Sequence, residues 1–308
     1  MRESLEVLDG IRLNFNADGL MLLNISLAFI MFGVALGLRV ENFKKVVLNP
    51  KPAVVGVLSQ FVLMPAMTFL LILLIKPSAS VAMGMILVAA CPGGNVSNFI
   101  TSLARGNVEL SVSLTGIADL SAIVMTPFNF AFWASLYNLT ADKVIPIQID
   151  LFEMFKTMLL LLALPVTLGM LFAYYFPNIT KKIFNPIKII SILIFFGYIA
   201  AALGLNFDHF LNYIHLIVWI VLIHNLLALS TGYFAARIFK LSEKDVRTIT
   251  IETGIQNSGL GLVLIFNPNL FDGLGGMAFI AAWWGIWHIV SGLTIGFLWK
   301  GKRVKSLA

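Results

Sequence analysis

The sequence is poor in charge and nearly devoid of cysteine. Asp, Glu, Lys and Arg make up 12% of its 308 residues, where a soluble domain carries roughly a quarter. That is too little charge to cover a water-facing surface of this size. The single cysteine, Cys91, excludes an internal disulfide framework and cannot form a thiolate metal centre alone. There is no HExxH motif and no Cys pair, so a transition metal is not expected. No GxSG stands with a helical His, and no Asp-rich motif suits a pyrophosphate–magnesium site, so the chain does not read as an enzyme. A cleavable signal peptide is also missing. Residues 1–18 mix Arg2, Glu3, Glu6, Asp9 and Arg12 with Leu5, Leu8, Ile11 and Leu13. Residues 1–19 therefore read as a short amphipathic segment lying at a membrane interface.

What the chain has instead is apolar sequence, 59% of it, with a mean hydropathy of +0.93. The bilayer is then the solvent. A helix crosses the roughly 30 Å hydrocarbon core with about 20 apolar residues. Windows of that kind fall at 20–38, 52–75, 80–104, 109–137, 151–176, 185–205, 212–236, 248–267 and 276–299. The fold class expected is an all-α polytopic membrane protein with nine transmembrane helices.

The net charge of +6 does not point to nucleic acid, because surplus Lys and Arg collect in cytoplasmic loops. One side of the nine windows holds Arg39, Lys44, Lys45, Lys51, Arg105, Lys181, Lys182, Lys188, Arg237, Lys240, Lys244, Arg247, Lys300, Lys302, Arg303 and Lys305. The other holds Arg2, Arg12, Lys76, Lys143 and Lys156. This asymmetry puts the N-terminus outside and a tail at 300–308 in the cytoplasm of a cell carrying the protein in its inner membrane.

Two windows are unsuited to simple helices. The third contains CPGGNVSN at 91–98, and the eighth contains TGIQNSGLG at 253–261. Gly and Pro interrupt helices, and irregular backbone at membrane depth is tolerated only when protein buries it or it lines a watery cavity. Windows three and eight cross in opposite directions. Paired interrupted spans in opposed halves point to an inverted-repeat secondary transporter with its site at the midplane.

Polar residues cluster at these breaks. Glu252 sits in apolar sequence with no basic residue nearby, and an acid at membrane depth costs about 2.5–3.5 kcal/mol on insertion scales, so it is expected to be functional. It suits either an anionic ligand for a dehydrated cation or a proton carrier. Ser97 and Asn98 lie at the other break, and Ser111, Thr115 and Asp119 form an i, i+4, i+8 stripe. Hydroxyl, amide and carboxylate oxygens together are the donors a hard cation takes. Asp119 fits an extra ion or proton site, a partner for a substrate group, or a structural hydrogen bond. Gln60, beside the kink residue Pro65, can add an oxygen. Ser113 and Thr126 read as packing residues, as do His224, Asn225 and His288. Trp283, Trp284, Trp287 and Trp299 read as interfacial anchors.

The stretches CPGGNVSNFITSLARGNVELSVSLT at 91–115 and TIETGIQNSGL at 250–260 resemble the bile acid:sodium symporters and their bacterial and plastid relatives. LSQFVLMPA at 58–66, VLIHN at 221–225 and WHIVSG at 287–292 add to the resemblance, which covers nearly the whole chain in the nine-span form. It implies two crossed discontinuous helices in a core domain (52–137, 212–299) and a panel domain (20–38, 151–205) moving against it. It implies one sodium site at Ser97, Asn98, Ser111, Thr115 and Glu252. A second would use Gln60, Gln256 and backbone carbonyls at Glu252, Thr253 and Ile255. Asn95, Val96, Asn257 and His288 would face substrate. The implied activity is sodium-coupled symport of an organic anion by alternating access, bile-acid-like or a small hydroxy or keto acid, with Na+ the coupling ion and no other cofactor. Proton coupling through Glu252 and Asp119 is the alternative within transport, and a non-transporting receptor the alternative outside it. The sequence departs from these relatives at Asp119, where a small or hydroxylated residue is usual, and at Ile289, where some bacterial relatives place a substrate-contacting Asn.

Overall fold

The computed structural model describes residues 5–13, 17–38, 48–140, 150–204 and 207–301. Arg2, Glu3, Arg39, Lys44, Lys45, Lys143, Lys302, Arg303 and Lys305 lie outside them, as does the tail beyond residue 301. The described residues are helical, with two isolated bridges and no strand. The helices are α1 (Ala17–Ala35), α2 (Pro50–Ile75), α3 (Ala79–Ala90), α4 (Val96–Leu103), α5 (Val108–Thr140) and α6 (Leu151–Tyr175). They continue with α7 (Pro177–Gly204), α8 (Phe207–Ile238), α9 (Glu243–Gly254), α10 (Ser258–Phe266) and α11 (Gly275–Lys300).

Local chemistry fixes where these helices begin and end. Asn107, Asp150, Ser242 and Asn257 each accept a hydrogen bond from the backbone N–H three residues on, capping α5, α6, α9 and α10. Such caps satisfy donors that have no partner within the helix. Both α2 and α6 carry one π turn, Ser59–Leu63 and Leu159–Ala163, just before Met64–Pro65 and Leu164–Pro165. Proline offers no N–H and its ring collides with the carbonyl four residues back. One wide turn relieves that conflict without ending the helix, and the first such turn contains Gln60.

Among the described residues, six helices, α1, α2, α5, α6, α8 and α11, are long and apolar enough to cross a bilayer. The two interrupted windows resolve into short pairs, α3 with α4 and α9 with α10. Twelve residues rise only about 18 Å, so no member of either pair can span alone. Every residue of α3 is buried, and α3 packs along α11. Against this, α1 packs chiefly on α6 and α7, and α8 on α9 and α11. Large apolar side chains face outward, among them Leu74, Phe128, Leu160, Trp219, Phe234 and Phe297. Polar ones such as Gln60, Ser97, Asp119, His224 and Glu252 are buried. An apolar exterior with the polar side chains gathered inside an otherwise apolar core is what lipid demands.

The N-terminal segment packs its apolar residues on protein: Leu5 and Leu8 are fully buried in the core. Asp9 accepts hydrogen bonds from the Ser80 N–H at 2.9 Å and from its hydroxyl, and the Ile11 carbonyl accepts from the Gly275 N–H at 2.9 Å. Its apolar face is covered by protein because the starts of α3 and α11 supply both a hydrophobic seat and unpaired helix-end donors. Trp284, read as an anchor, is also wholly buried, its ring 4.7 Å from that of His224.

Candidate cation site at a helix crossing

The interrupted segments meet each other. Gly93 and Gln256 form an antiparallel bridge, the Gly94 N–H donates to the Ile255 carbonyl at 2.7 Å, and the Asn257 N–H donates to the Pro92 carbonyl at 2.8 Å. Backbone groups released by unwinding one helix are thus satisfied by the other, which removes most of the cost of irregular backbone at this depth. The approach is close. A Cβ on Gly93 would lie 2.7 Å from Glu252 Oε1, and one on Gly94 would lie 2.9 Å from the Gln256 carbonyl oxygen. The crossing brings together the C-terminal ends of α3 and α9 and the N-terminal ends of α4 and α10.

Glu252, in the last turn of α9, is the acid at its centre. Thr115 Oγ1 donates to its Oε1 at 2.7 Å and Ser111 Oγ to its Oε2 at 3.2 Å. Thr115 Oγ1 also lies 3.4 Å from Asn98 Oδ1. Ser97 is fully buried beside the carboxylate, its hydroxyl without a well-formed hydrogen bond. Thus α4, α5 and α9 bring Ser97, Asn98, Ser111, Thr115 and Glu252 into one cluster. Among the described residues no Lys, Arg or His pairs with Glu252 within salt-bridge distance.

The second predicted set also converges. Gln60 Nε2 donates to Gln256 Oε1 at 2.7 Å and to the Cys91 carbonyl at 2.9 Å, leaving Gln60 Oε1 buried without a partner. Gln256 Nε2 donates to the Thr253 carbonyl at 2.9 Å, and the Ile255 carbonyl takes the Gly94 N–H. Both carbonyls keep a second lone pair for another ligand. An orphaned amide oxygen, an orphaned hydroxyl and a carboxylate held only by hydroxyls make a donor set that suits a hard monovalent cation.

The four residues expected to face substrate do not stay together. Asn257 lines a shallow cleft with Leu23, Leu27 and Ile30 of α1, Ile194 of α7 and Val263 of α10. Asn95 and Val96 begin α4 and are not among its walls, and Asn95 Oδ1 is buried without a partner. His288 is buried on α11, its carbonyl accepting from Ser291 Oγ. Asp119 lies on the Glu252-facing side of α5, and neither of its oxygens has a hydrogen bond.

Sequence reasoning missed the residues that hold the unwound backbone in place. Asn225 Nδ2 donates to the Gly254 carbonyl at 2.8 Å and is itself oriented by Ser291 Oγ at 2.5 Å. Ser59 Oγ lies 2.9 Å from Thr253 Oγ1. The signal was present, since each is a polar residue in an apolar run, but the partners lie 29, 66 and 194 positions away.

Residues 24–213 match a family model described as the Sodium Bile acid symporter family. An uncharacterized sodium-dependent transporter of Bacillus subtilis is 32% identical over 93% of this chain and 85% of its own length. A probable chloroplastic sodium/metabolite cotransporter of Oryza sativa subsp. japonica is 34% identical over 79% of this chain, which spans 56% of that protein. A sodium-dependent organic anion transporter of Bos taurus is 29% identical over 75% of this chain and 60% of its own length.

Proposed function

The chain belongs to the sodium bile acid symporter family, a sodium-dependent membrane transporter family and not an enzyme family, and from that premise we propose that it couples sodium entry to uptake of an organic anion by alternating access. The observation that carries this reading is the crossing itself. A carboxylate buried at membrane depth is held by two hydroxyls and no base, so a cation is the group that completes it. One sodium would sit among Ser97, Asn98, Ser111, Thr115 and Glu252. A second would sit among Gln60, Gln256, Glu252 and the Thr253 and Ile255 carbonyls. Each interrupted pair would count as one crossing of a nine-span fold, with α1, α6 and α7 as the panel. The packing of α1 on α6 and α7 supports that grouping.

The substrate would enter the cleft where α1 and α7 face Asn257. The N-terminal end of α10, where Asn257 and Gly259 line the cleft, carries partial positive charge, which favours a carboxylate or sulfonate there. The cow relative's name, organic anion transporter, supports the same class. Sodium drives uptake only if it binds more tightly to the substrate-competent state. In inner-membrane placement with a cytoplasmic C-terminus, the gradient runs inward.

The test is uptake into proteoliposomes across a panel of labelled organic acids. A sodium gradient should drive accumulation, choline should not, and Glu252→Ala should reduce the sodium-driven component to background. Equal uptake in choline, or an unimpaired Glu252→Ala, would overturn the reading. Accumulation driven by a pH jump alone would replace sodium with protons.

A further inference from the structure

Asp119 is left over when the two proposed sodium sites are assembled. It continues the α5 stripe on which Ser111 and Thr115 hold Glu252. Seven residues further along α5, Thr126 Oγ1 donates to the Ala90 carbonyl, the last residue of α3, at 2.7 Å. Along α5, Asp119 therefore falls between the residue that holds Glu252 and the residue that meets the end of α3. It is wholly buried, both its oxygens lack any hydrogen-bond partner, and Glu252 is the charged group that acts on it. Among the described residues no cationic side chain lies within salt-bridge distance of either acid.

Buried carboxylates without partners are costly, and their compensation must come from outside the chain. A proton is a poor answer at Asp119. The neutral acid carries an O–H that needs an acceptor of its own, whereas both oxygens are buried without a hydrogen-bond partner. A small hard cation satisfies both oxygens together. We propose that Asp119 is the anionic ligand of a further monovalent-cation position adjoining Glu252, so that this chain binds one sodium ion more than Glu252 and the two glutamines account for. The inference rests on the sodium-coupled reading and adds to its stoichiometry. Two carboxylates against three cations would also leave the crossing with a net positive charge facing the anion.

Direct binding of radioactive sodium to the purified full chain in detergent, with choline holding ionic strength constant, separates the two ideas. Asp119→Asn and Asp119→Ser should each bind about one sodium fewer than the unaltered protein, while Glu252→Gln should lose the ions that Glu252 holds. Melting temperatures in sodium-free buffer serve as the folding control, and Asp119→Asn, which keeps the shape and removes the charge, should match or exceed the unaltered protein there. If both Asp119 variants bind as many ions as the unaltered protein, the extra position is refuted while sodium coupling stands. Unchanged sodium binding with loss of proton movement in Asp119→Asn would make Asp119 a proton carrier and equally refute it. If the unaltered protein binds no sodium at all, the coupling itself fails.

Discussion

At the scale of single residues, the site is built from groups in close contact. Glu252 Oε1 takes the Thr115 hydroxyl at 2.7 Å and stands 2.7 Å from where a Cβ on Gly93 would be. A methyl there is too close for an ordinary contact, and the movable party is the end of the glutamate side chain. Gly93→Ala should therefore leave the fold intact and push the carboxylate off Thr115. The sodium concentration for half-maximal thermal stabilisation should rise about tenfold, which corresponds to about 1.4 kcal/mol. An unchanged sodium midpoint would show that the carboxylate does not need that geometry. Gly94→Ala is a different experiment, because its Cβ meets the Gln256 carbonyl oxygen at 2.9 Å and backbone cannot yield so cheaply. That variant should lower the melting temperature even without sodium.

The identities at this scale were legible in the sequence because polar residues in an apolar run stand out. Glu252, Gln256, Ser97 and the Ser111–Thr115 stripe could be named before any coordinates. Which polar residue meets which could not, since Asn225 reaches Gly254 and Gln60 reaches Gln256 across 29 and 196 positions. Only tertiary packing decides such pairs. Substrate-facing residues were the least legible. Asn257 lines the cleft, but His288 is buried where a contact with the cleft wall was expected, and no periodicity distinguishes a helix face turned to a cleft from one turned to a neighbour.

At the scale of elements, the short helices need help at their ends that long ones do not. The last turn of α4 is finished by Arg105 in the left-handed region (φ 56°), with the Gly106 N–H donating to the Thr101 carbonyl at 2.9 Å. Next to it, Arg247 Nη1 donates to the Ala104 carbonyl at 2.7 Å and to the Trp299 carbonyl at 3.1 Å, and its guanidinium lies 5.7 Å from the Trp299 ring centre. One buried cation thus serves the negative C-terminal ends of both α4 and α11. Hydropathy and charge counting had assigned Arg247 only to a cytoplasmic loop, because a side chain that folds inward from a helix start looks the same in sequence as one that points to water. Hydrogen bonds to charged groups contribute about 1.5–3 kcal/mol each. Arg247→Met should lower the thermal midpoint in detergent by several degrees and leave the sodium midpoint within twofold. An unaltered thermal midpoint would mean the two carbonyls find other donors, and a shifted sodium midpoint would tie α4's end to the ion site.

At the scale of the whole molecule, the proposed cation site and the cleft depend on different sets of helices. The Glu252 cluster draws on α4, α5 and α9, and the glutamine pair adds α2. None of the residues named for either cation set lies on α1, α6 or α7. The cleft does use that group, with Leu23, Ser26, Leu27 and Ile30 from α1 and Ile194 from α7 facing Asn257, Gly259 and Val263 at the start of α10. If α1, α6 and α7 move as a panel, tying α1 to α10 should stop transport and leave sodium binding alone. The single cysteine, buried Cys91, can be replaced by Ala to give a background for Leu27→Cys with Val263→Cys. A thiol-specific bifunctional reagent should then reduce uptake to background, a reductant that cleaves the link should restore it, and sodium-dependent thermal stabilisation should persist throughout. Full uptake with the link formed would place the moving boundary elsewhere. Loss of sodium stabilisation on linking would show that the two helix groups are one mechanical unit, and that the ions sense the panel's position directly.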